Sequence, residues 1–576
     1  MHERKNTASK QIILAVVLLN LFISLSCADQ ADPPVTLYYW GNEGDILASD
    51  LVQDFETLHD GKDGRRPIKV IMAQSASVNK TEDPQRLLCG IAGGDPPDVV
   101  FFDRFAVGEW ASKGAFMSLQ RFLEKDQKER PTDPFTLYEE QFYPPCWAEA
   151  CYNGELFAIP TDTDNRAMYY NIDLFEKHAD ELIAAGCVDP EDPTKVGPPR
   201  TWEQWEKATR ILTERDSQGR LIRVGIIPNY GNSWLYIFGW LNGGTFMSDD
   251  GKTCTLNEPA IVEALAFMTK LYDIMGGAAE VNAFQTSQEG ADLDPFLANK
   301  IAMRIDGDMY INNIINLRRD MRFGVTLAPA PEGKKPLGWC GGWSLVIPAG
   351  AEHPEEAWEF IKYMVSKRAT KIKSDAQRQS ARASGNVWIP NISARKDITE
   401  WLMEEYLYSD PTISPRFKEA KRVFVDSMPF SKYRPVTPVG QLLWKKQVDA
   451  LEQGIYKQYD KNDIQRNALD NATATVQREL DKIYKPQNYP VLDWRPVLLT
   501  YILLVILSTA TGYIYFNRQM RARGYFRREF RAGYLFAAPW FLGFLIFGGG
   551  PILFSFFMSF CEYDIFHPPR WVGLKN

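Results

Sequence analysis

PDVVFFD, residues 97–103, sets four apolar side chains in a row between a proline-aspartate pair and a closing aspartate. A short apolar run bounded in this way reads as a mostly buried strand. VTLYYW (35–40), IKVIMAQ (68–74), IAMRIDG (301–307) and SLVIPAG (344–350) repeat the pattern. Helical segments lie between them. In PPRTWEQWEKATRILTE (198–214), Thr201 and Gln204 form a capping box, and Trp202, Trp205, Ala208 and Leu212 form one apolar face. In LNEPAIVEALAFMTKLYDIM (256–275), Asn257 is expected to cap and Pro259 to occupy the first turn, where a missing N–H costs little. Strands alternating with helices predict an α/β layered fold. The stretch from Pro33 to Tyr489 exceeds the size at which single cores stop growing, so two lobes are expected.

The chain has 576 residues, 45% hydrophobic and 24% charged, and a net charge of -8. From Val491 onward nine Lys and Arg stand against four Asp and Glu, so an acidic body precedes a basic tail. Neither half resembles a nucleic-acid-binding surface. At the amino end, MHERKNTASK is a basic n-region, QIILAVVLLNLFISLS an apolar run, and Ser26-Cys27-Ala28 a small-residue site. Residues 1–28 therefore read as a signal peptide or a retained anchor, with lipidation at Cys27 a third possibility, and in each case the body is exported. No CxxC pair or His-rich spacing suggests zinc. Cys146 and Cys151 are close enough in sequence to bridge in an exported protein.

Residues 497–516 carry no charge, and about 20 such residues span a bilayer core. Six arginines follow between 517 and 531, and a second uncharged run covers 532–561. Arginine-rich loops stay in the cytoplasm, so the body lies outside, the chain enters and leaves again, and residues 562–576 return to the outer face. The expected location is the cytoplasmic (inner) membrane, with the body on its periplasmic or extracellular side.

Ligands of open α/β sheets sit beyond the carboxyl ends of strands. That rule selects Trp40, Asp103 and Asp306, which end VTLYY, PDVVFF and IAMRI.

The succession VTLYYWGNEGD, IAGGDPPDVVFFDRFAVGEWASKGAFMSL, FAIPTDTDNRAMYYNIDLF, PPRTWEQW, WLNGGTFMSDDGK, FLANKIAMRIDGDMY and GGWSLVIPAGAEHPEEAWEFIKYM resembles the extracellular solute-binding protein family 1, the maltose-binding-protein-like receptors of ABC importers. The resemblance runs from Val35 to Tyr484. The tail YLFAAPWFLGFLIFGGGPILFSFFMSFCEYDIFHPPRWVGLKN is similar to the first transmembrane helix and outer loop of the sugar-permease subunits of such importers. Together they imply a two-lobed periplasmic-binding-protein fold with hinge strands, followed by two transmembrane α-helices, the second opening a truncated permease. The implied hinge crossings are IPTDTDNRAMYYN, a return near AMRIDGDMY and another near GGWSLVIPAG, with the lobes closing on solute. The implied partners are a carbohydrate or polyol solute, a second permease subunit, a separate cytoplasmic ABC ATPase and the lipid bilayer. No cofactor is expected.

A sugar offers apolar C–H faces and many hydroxyls, so its cleft wants aromatic plates and fixed polar groups. Trp40, Trp234, Trp339 and Trp343 are candidate plates. Asn42, Glu43, Asp103, Asp162, Asp164 and Asp306 are candidate polar partners, and Gly341 and Gly342 permit close backbone approach. Each has a plainer reading: tryptophans such as Trp202, Trp205 and Trp358 belong to cores, Asp103 and Asp306 can cap helices, and Asp162 and Asp164 can shape the hinge. Carboxylate pairs could in principle make a glycosidase, but they are too plentiful to be informative, and neither G-x-S-x-G nor H-E-x-x-H occurs. The phosphate loop G-x-x-x-x-G-K-[ST] is also missing, so ATP hydrolysis must come from another chain. The chain therefore reads as a binding component and not an enzyme, with a membrane-tethered receptor or sensor as the alternative.

Overall fold

A computed structural model describes residues 33–41, 45–62, 66–74, 85–288, 294–457, 464–485, 489–522, 527–563 and 568–575. The signal region and the candidates Asn42 and Glu43 lie outside the described residues. The chain divides into two units, Met1–Asp481 and Lys482–Asn576.

The strands that build the two large sheets of the first unit are β1 (Val35–Gly41), β2 (Ile68–Gln74), β3 (Val99–Asp103), β4 (Ala158–Pro160), β5 (Asp162–Asn171), β6 (Glu214–Arg215), β7 (Leu221–Gly231), β8 (Ile301–Gly307), β9 (Phe323–Thr326), β10 (Cys340–Gly341), β11 (Trp343–Val346) and β12 (Ile392–Ser393). One lobe has the strand order β2-β1-β3-β11-β4. β1 runs parallel to β2 and β3, with Val35 opposite Ile68 and Tyr39 opposite Val99. β11 closes this sheet antiparallel to β3, with Trp343 opposite Asp103.

Burial follows the pattern of each strand. In β1 the alternate residues Val35, Leu37 and Tyr39 are buried, whereas Val99 to Phe102 of the central β3 are all buried. Tyr39 meets Phe360 of the helix Pro354–Met364 edge to face at 5.1 Å, and Phe55 meets it at 5.0 Å. Trp358 on the same helix is buried and donates its ring N–H to Asp126 at 2.8 Å. Lys362 joins the same carboxylate at 2.6 Å, so this core carries a satisfied ionic centre.

The second lobe has the order β9-β5-β8-β7-β6, with β10 and β12 pairing the first half of β5. Its helix Trp202–Leu212 starts with half of the expected capping box: the Thr201 hydroxyl accepts from Gln204 N at 3.2 Å, but the Gln204 side-chain carbonyl accepts from Arg200 N at 2.8 Å, one residue before the cap. Trp205, Ala208 and Leu212 are buried, and Trp202 stacks on Phe267 at 4.2 Å.

Three expectations are corrected here. Asn257 does not cap the helix Pro259–Ile274; Glu258 holds that position, and the Asn257 amide is drawn away to Asp470 at 2.7 Å. The segment Ile301–Gly307 is no crossing, because β8 is paired on both sides within one sheet, to β5 and β7. Cys146 and Cys151 are both free thiols.

Glu214, on the edge strand β6, accepts from Lys177 at 2.8 Å and lies 2.5 Å from Arg223 and 3.2 Å from His178. Partial burial pushes its carboxyl up, but the hydrogen bonds from Lys177 and His178 and the charges of Arg223 and Lys177 hold it down, to about 2. A carboxyl depressed on folding stabilises the fold fully above its unfolded pKa of about 4.3, and the contribution disappears as pH falls through the folded value. Glu214→Gln is therefore expected to lower the unfolding midpoint at pH 7, with the gap to the parent closing between pH 4.5 and 2. Thermal melts across that range check it.

In the second unit the helix Trp494–Ala522 is followed by Arg527–Phe544, a π-helical turn Leu545–Gly549, and Gly550–Met558. Pro551 has no N–H for an intrahelical bond, which with the glycines around it accounts for the widened turn. The segments 494–519 and 535–558 are long and apolar enough to cross a membrane. The ends of this pair meet: Leu492 N donates to Pro569 O at 2.7 Å and Trp571 N to Pro490 O at 2.9 Å. Trp494 stacks on Phe554 at 5.3 Å. The two helices thus form a hairpin whose entrance and exit lie on one side.

Candidate functional site

The chain leaves the first sheet at Pro160 and enters the second at Asp162; Gly341 to Trp343 makes the return, and Ile392 pairs with Thr163 beside them. Gly342 is required here. Its φ is +132°, and a Cβ would approach Asp162 O to 2.5 Å.

Arg104, directly after β3, binds these crossings together. It is fully buried, and its guanidinium donates to Glu149 at 2.9 Å, to Asp162 O at 2.9 Å, to Gly341 O at 2.5 Å and to Trp343 O at 3.4 Å. Burial pushes the Glu149 carboxyl up while the charges of Arg104 and Arg434 pull it down. Arg434 stands 4.1 Å over the Phe105 ring and reaches Asp103 at 3.2 Å.

Asp162 and Asp164 act on the same strands. Asp162 accepts from Trp343 N at 3.1 Å, and Asp164 accepts from Gly341 N and from Arg166, both at 2.9 Å. Burial pushes the Asp162 carboxyl up, against that backbone hydrogen bond.

A cleft of about 570 Å³ opens on this junction, within the usual range for small-molecule sites. Its walls bring together Asp103, Asp162, Asp164, Gly342 and Trp343 from among the candidates. Trp343 is half-buried and stacks on Phe101 at 5.0 Å with the planes 18° apart, so its ring is braced from one side. Trp388 supplies a second half-buried indole, set edge-on to Tyr406 at 5.6 Å. Lys373, Asn391 and Gln377 add polar groups. Such a cleft can stack a ring and hydrogen-bond its hydroxyls.

The other described candidates lie apart from these walls. Gly341 is buried in the strand pairing with Asp164. Asp306 is ion-paired to Arg304 and accepts from Gly307 N at 2.7 Å. Trp339 is buried against Trp240, Tyr236 and Trp444, with Arg166 4.3 Å over its ring. Trp234 precedes the helix Leu235–Leu241, edge-on to Trp444 at 5.4 Å. Trp40 carries the Arg86 guanidinium 4.3 Å over its ring.

Sequence reasoning missed Phe101, Arg166, Asp308, Met309, Lys373, Trp388 and Arg434 in the walls. The strand-end rule applied one or two residues past β8 would have found Asp308 and Met309. Nothing local marks Arg434 or Trp388, which reach the cleft from far along the chain.

A profile described as bacterial extracellular solute-binding protein matches residues 74–371. The chain is 24% identical over 344 residues to a probable ABC transporter-binding protein of Deinococcus radiodurans, covering 57% of this chain and 69% of that protein. It is also similar to the probable ABC transporter permease protein YesP of Bacillus subtilis, 46% identical over 50 residues, which is 9% of this chain and 16% of that one. Among solved structures, a binding protein with mannobiose bound, CpMnBP1, superposes with a TM-score of 0.55 at 23% identity, covering 77% of this chain and 99% of that one.

Proposed function

Because the chain belongs to the bacterial extracellular solute-binding protein family, we propose that it captures a carbohydrate or related polyol between its two lobes and hands it to the permease of an ABC importer. The observation that carries this reading is the cleft at the strand crossings, where braced indoles and fixed carboxylates face the same space. The mannobiose held by CpMnBP1 and the name arabinooligosaccharide-binding protein of a Bacillus subtilis relative, 24% identical over 282 residues, favour an oligosaccharide. The chemistry asked of the site is binding alone.

In this reading residues 1–28 direct export, 33–489 form the solute-binding domain outside the cell, and two helices cross the cytoplasmic membrane around a basic cytoplasmic segment. The 50-residue likeness to YesP, with two helices long and apolar enough to cross a membrane, supports a permease segment in this chain. That likeness covers 16% of YesP; in this reading further permease helices, a second permease subunit and a separate ATPase complete the transporter. Fusion keeps the receptor at roughly millimolar effective concentration beside its permease.

Calorimetric titration of the full-length chain in detergent with a panel of mono- and oligosaccharides, followed by recovery of each ligand, tests the function. Saturable binding with ligand returned intact is expected; a cleaved glycosidic bond would mean a hydrolase. Topology has its own check. With the exposed Cys89 replaced by serine, a cysteine placed at Asn517 is expected to react with an impermeant maleimide only after cells are opened, whereas one at the exposed Leu574 reacts in intact cells. The reverse pattern would refute the orientation.

A further inference from the structure

Two arginines in the wall of the cleft are held alike. Arg166, on β5, stands 4.3 Å over the Trp339 ring and donates through Nη1 to Asp164 at 2.9 Å and to Trp339 O at 3.3 Å. Arg434 stands 4.1 Å over the Phe105 ring and donates through Nη2 to Asp103 at 3.2 Å. Each guanidinium rests on an aromatic face and is fixed by one aspartate of the same wall. Their side chains are only 7% and 11% exposed.

Each also keeps donors in reserve. Arg166 Nη2 and Arg434 Nη1 make no hydrogen bond among the described residues, and neither does the Nε of either arginine. The two Nε atoms are buried, whereas the two terminal nitrogens reach the surface of the cleft that their residues line. The Thr161 hydroxyl, in the same wall, is a third buried group without a partner among the described residues. Buried polar groups are ordinarily paired, so donors left over around one cleft mark where acceptors arrive from outside the chain.

The charges of the wall, in contrast, are matched one to one. Arg434 pairs with Asp103, Arg166 with Asp164 and the fully buried Lys421 with Asp308, while Lys373 acts on Asp162 through its charge. A carboxylate brought in by a ligand would find no surplus cation among these groups and would lose its hydration without compensation. A hydroxyl or ring oxygen needs only a donor.

We propose that Arg166 and Arg434 are the donors with which the cleft reads the oxygens of an uncharged sugar, and that the site rejects uronic acids. The proposal rests on the carbohydrate reading above and names the residues and the ligand charge that carry it. Both planar forks are already fixed by a ring and a carboxylate, so little freedom is lost when they bond a ligand.

The test is calorimetric titration of the full-length chain in detergent with disaccharides paired so that they differ only in oxidation at C6: mannobiose with dimannuronate, and galactobiose with digalacturonate. The neutral member of a pair is expected to bind at least about tenfold more tightly. Arg166→Lys and Arg434→Lys keep the charge and lose the fork, so each should weaken neutral-sugar binding about 10- to 100-fold, the range of a charged hydrogen bond. Unfolding midpoints of the same variants separate this loss from a loss of fold, which would lower stability and affinity together. If a variant folds poorly, the paired ligands on the unaltered chain still decide. Tighter binding of the uronic member, or parental affinity in both lysine variants, overturns the inference and leaves the carbohydrate reading standing. Binding of neither member of any pair refutes that reading, and the inference with it.

Discussion

Replacing Arg104 by methionine is expected to cost the folded chain about 3–5 kcal/mol, the usual penalty for stranding one partner of a buried ion pair. Glu149 would keep its place with no exposed surface and lose the hydrogen bond at 2.9 Å. Its remaining cation, Arg434 Nε, lies 3.5 Å away and makes no hydrogen bond to it. The carbonyls of Asp162, Gly341 and Trp343 would lose a donor at the same time. The double substitution Arg104→Met with Glu149→Leu removes the stranded charge and should recover part of the loss, because apolar replacement of a whole buried pair is often neutral. Urea unfolding of the single and double variants measures both quantities. A double variant no more stable than Arg104→Met would show that Glu149 is not what suffers.

Trp343→Ala is expected to weaken carbohydrate binding about 100-fold, roughly 2.7 kcal/mol, in the range of an aromatic hot spot. The ring is half-buried, braced by Phe101, and borne on a backbone fixed by Asp162 at 3.1 Å, so little ordering entropy is spent when a sugar ring stacks on it. Truncation removes the plate but leaves the backbone hydrogen bonds, so the unfolding midpoint should move much less than for Arg104→Met. Calorimetry on the two variants separates the roles: a positioning residue lowers stability and affinity together, a contacting residue affinity alone. Unchanged affinity in Trp343→Ala would move the site elsewhere.

The strands were readable because each is a short apolar run between turn formers, and all five quoted segments are strands or contain one. The helix after Thr201 was readable from a local signal, its cap. Asn257 was misjudged for the opposite reason: the choice between capping and bonding Asp470 depends on a helix some 200 residues later. The crossing near Gly341 was legible only through the family resemblance, whereas Ile301–Gly307 has the apolar pattern of any inner strand and nothing local says on which side it pairs. The same limit governs the site. Asp103 and Trp343 stand at strand ends, but Lys373, Trp388 and Arg434 come from segments whose approach to the cleft is decided by packing.

The position of β11 between β3 and β4 bears on how the protein is made. The second lobe's main strands β5 to β9 all lie within residues 162–326, with only the two-residue strands β10 and β12 added later, whereas the first lobe's sheet lacks an inner strand until residue 346 has emerged. At synthesis rates of about 5–20 residues per second, β4 waits roughly 10–40 s for that neighbour. During this interval the leading lobe is an open sheet that cannot close prematurely. A chain that must be threaded through a translocation channel before it folds is served by that delay, since its amino-terminal half stays pliable until the strand that locks it arrives.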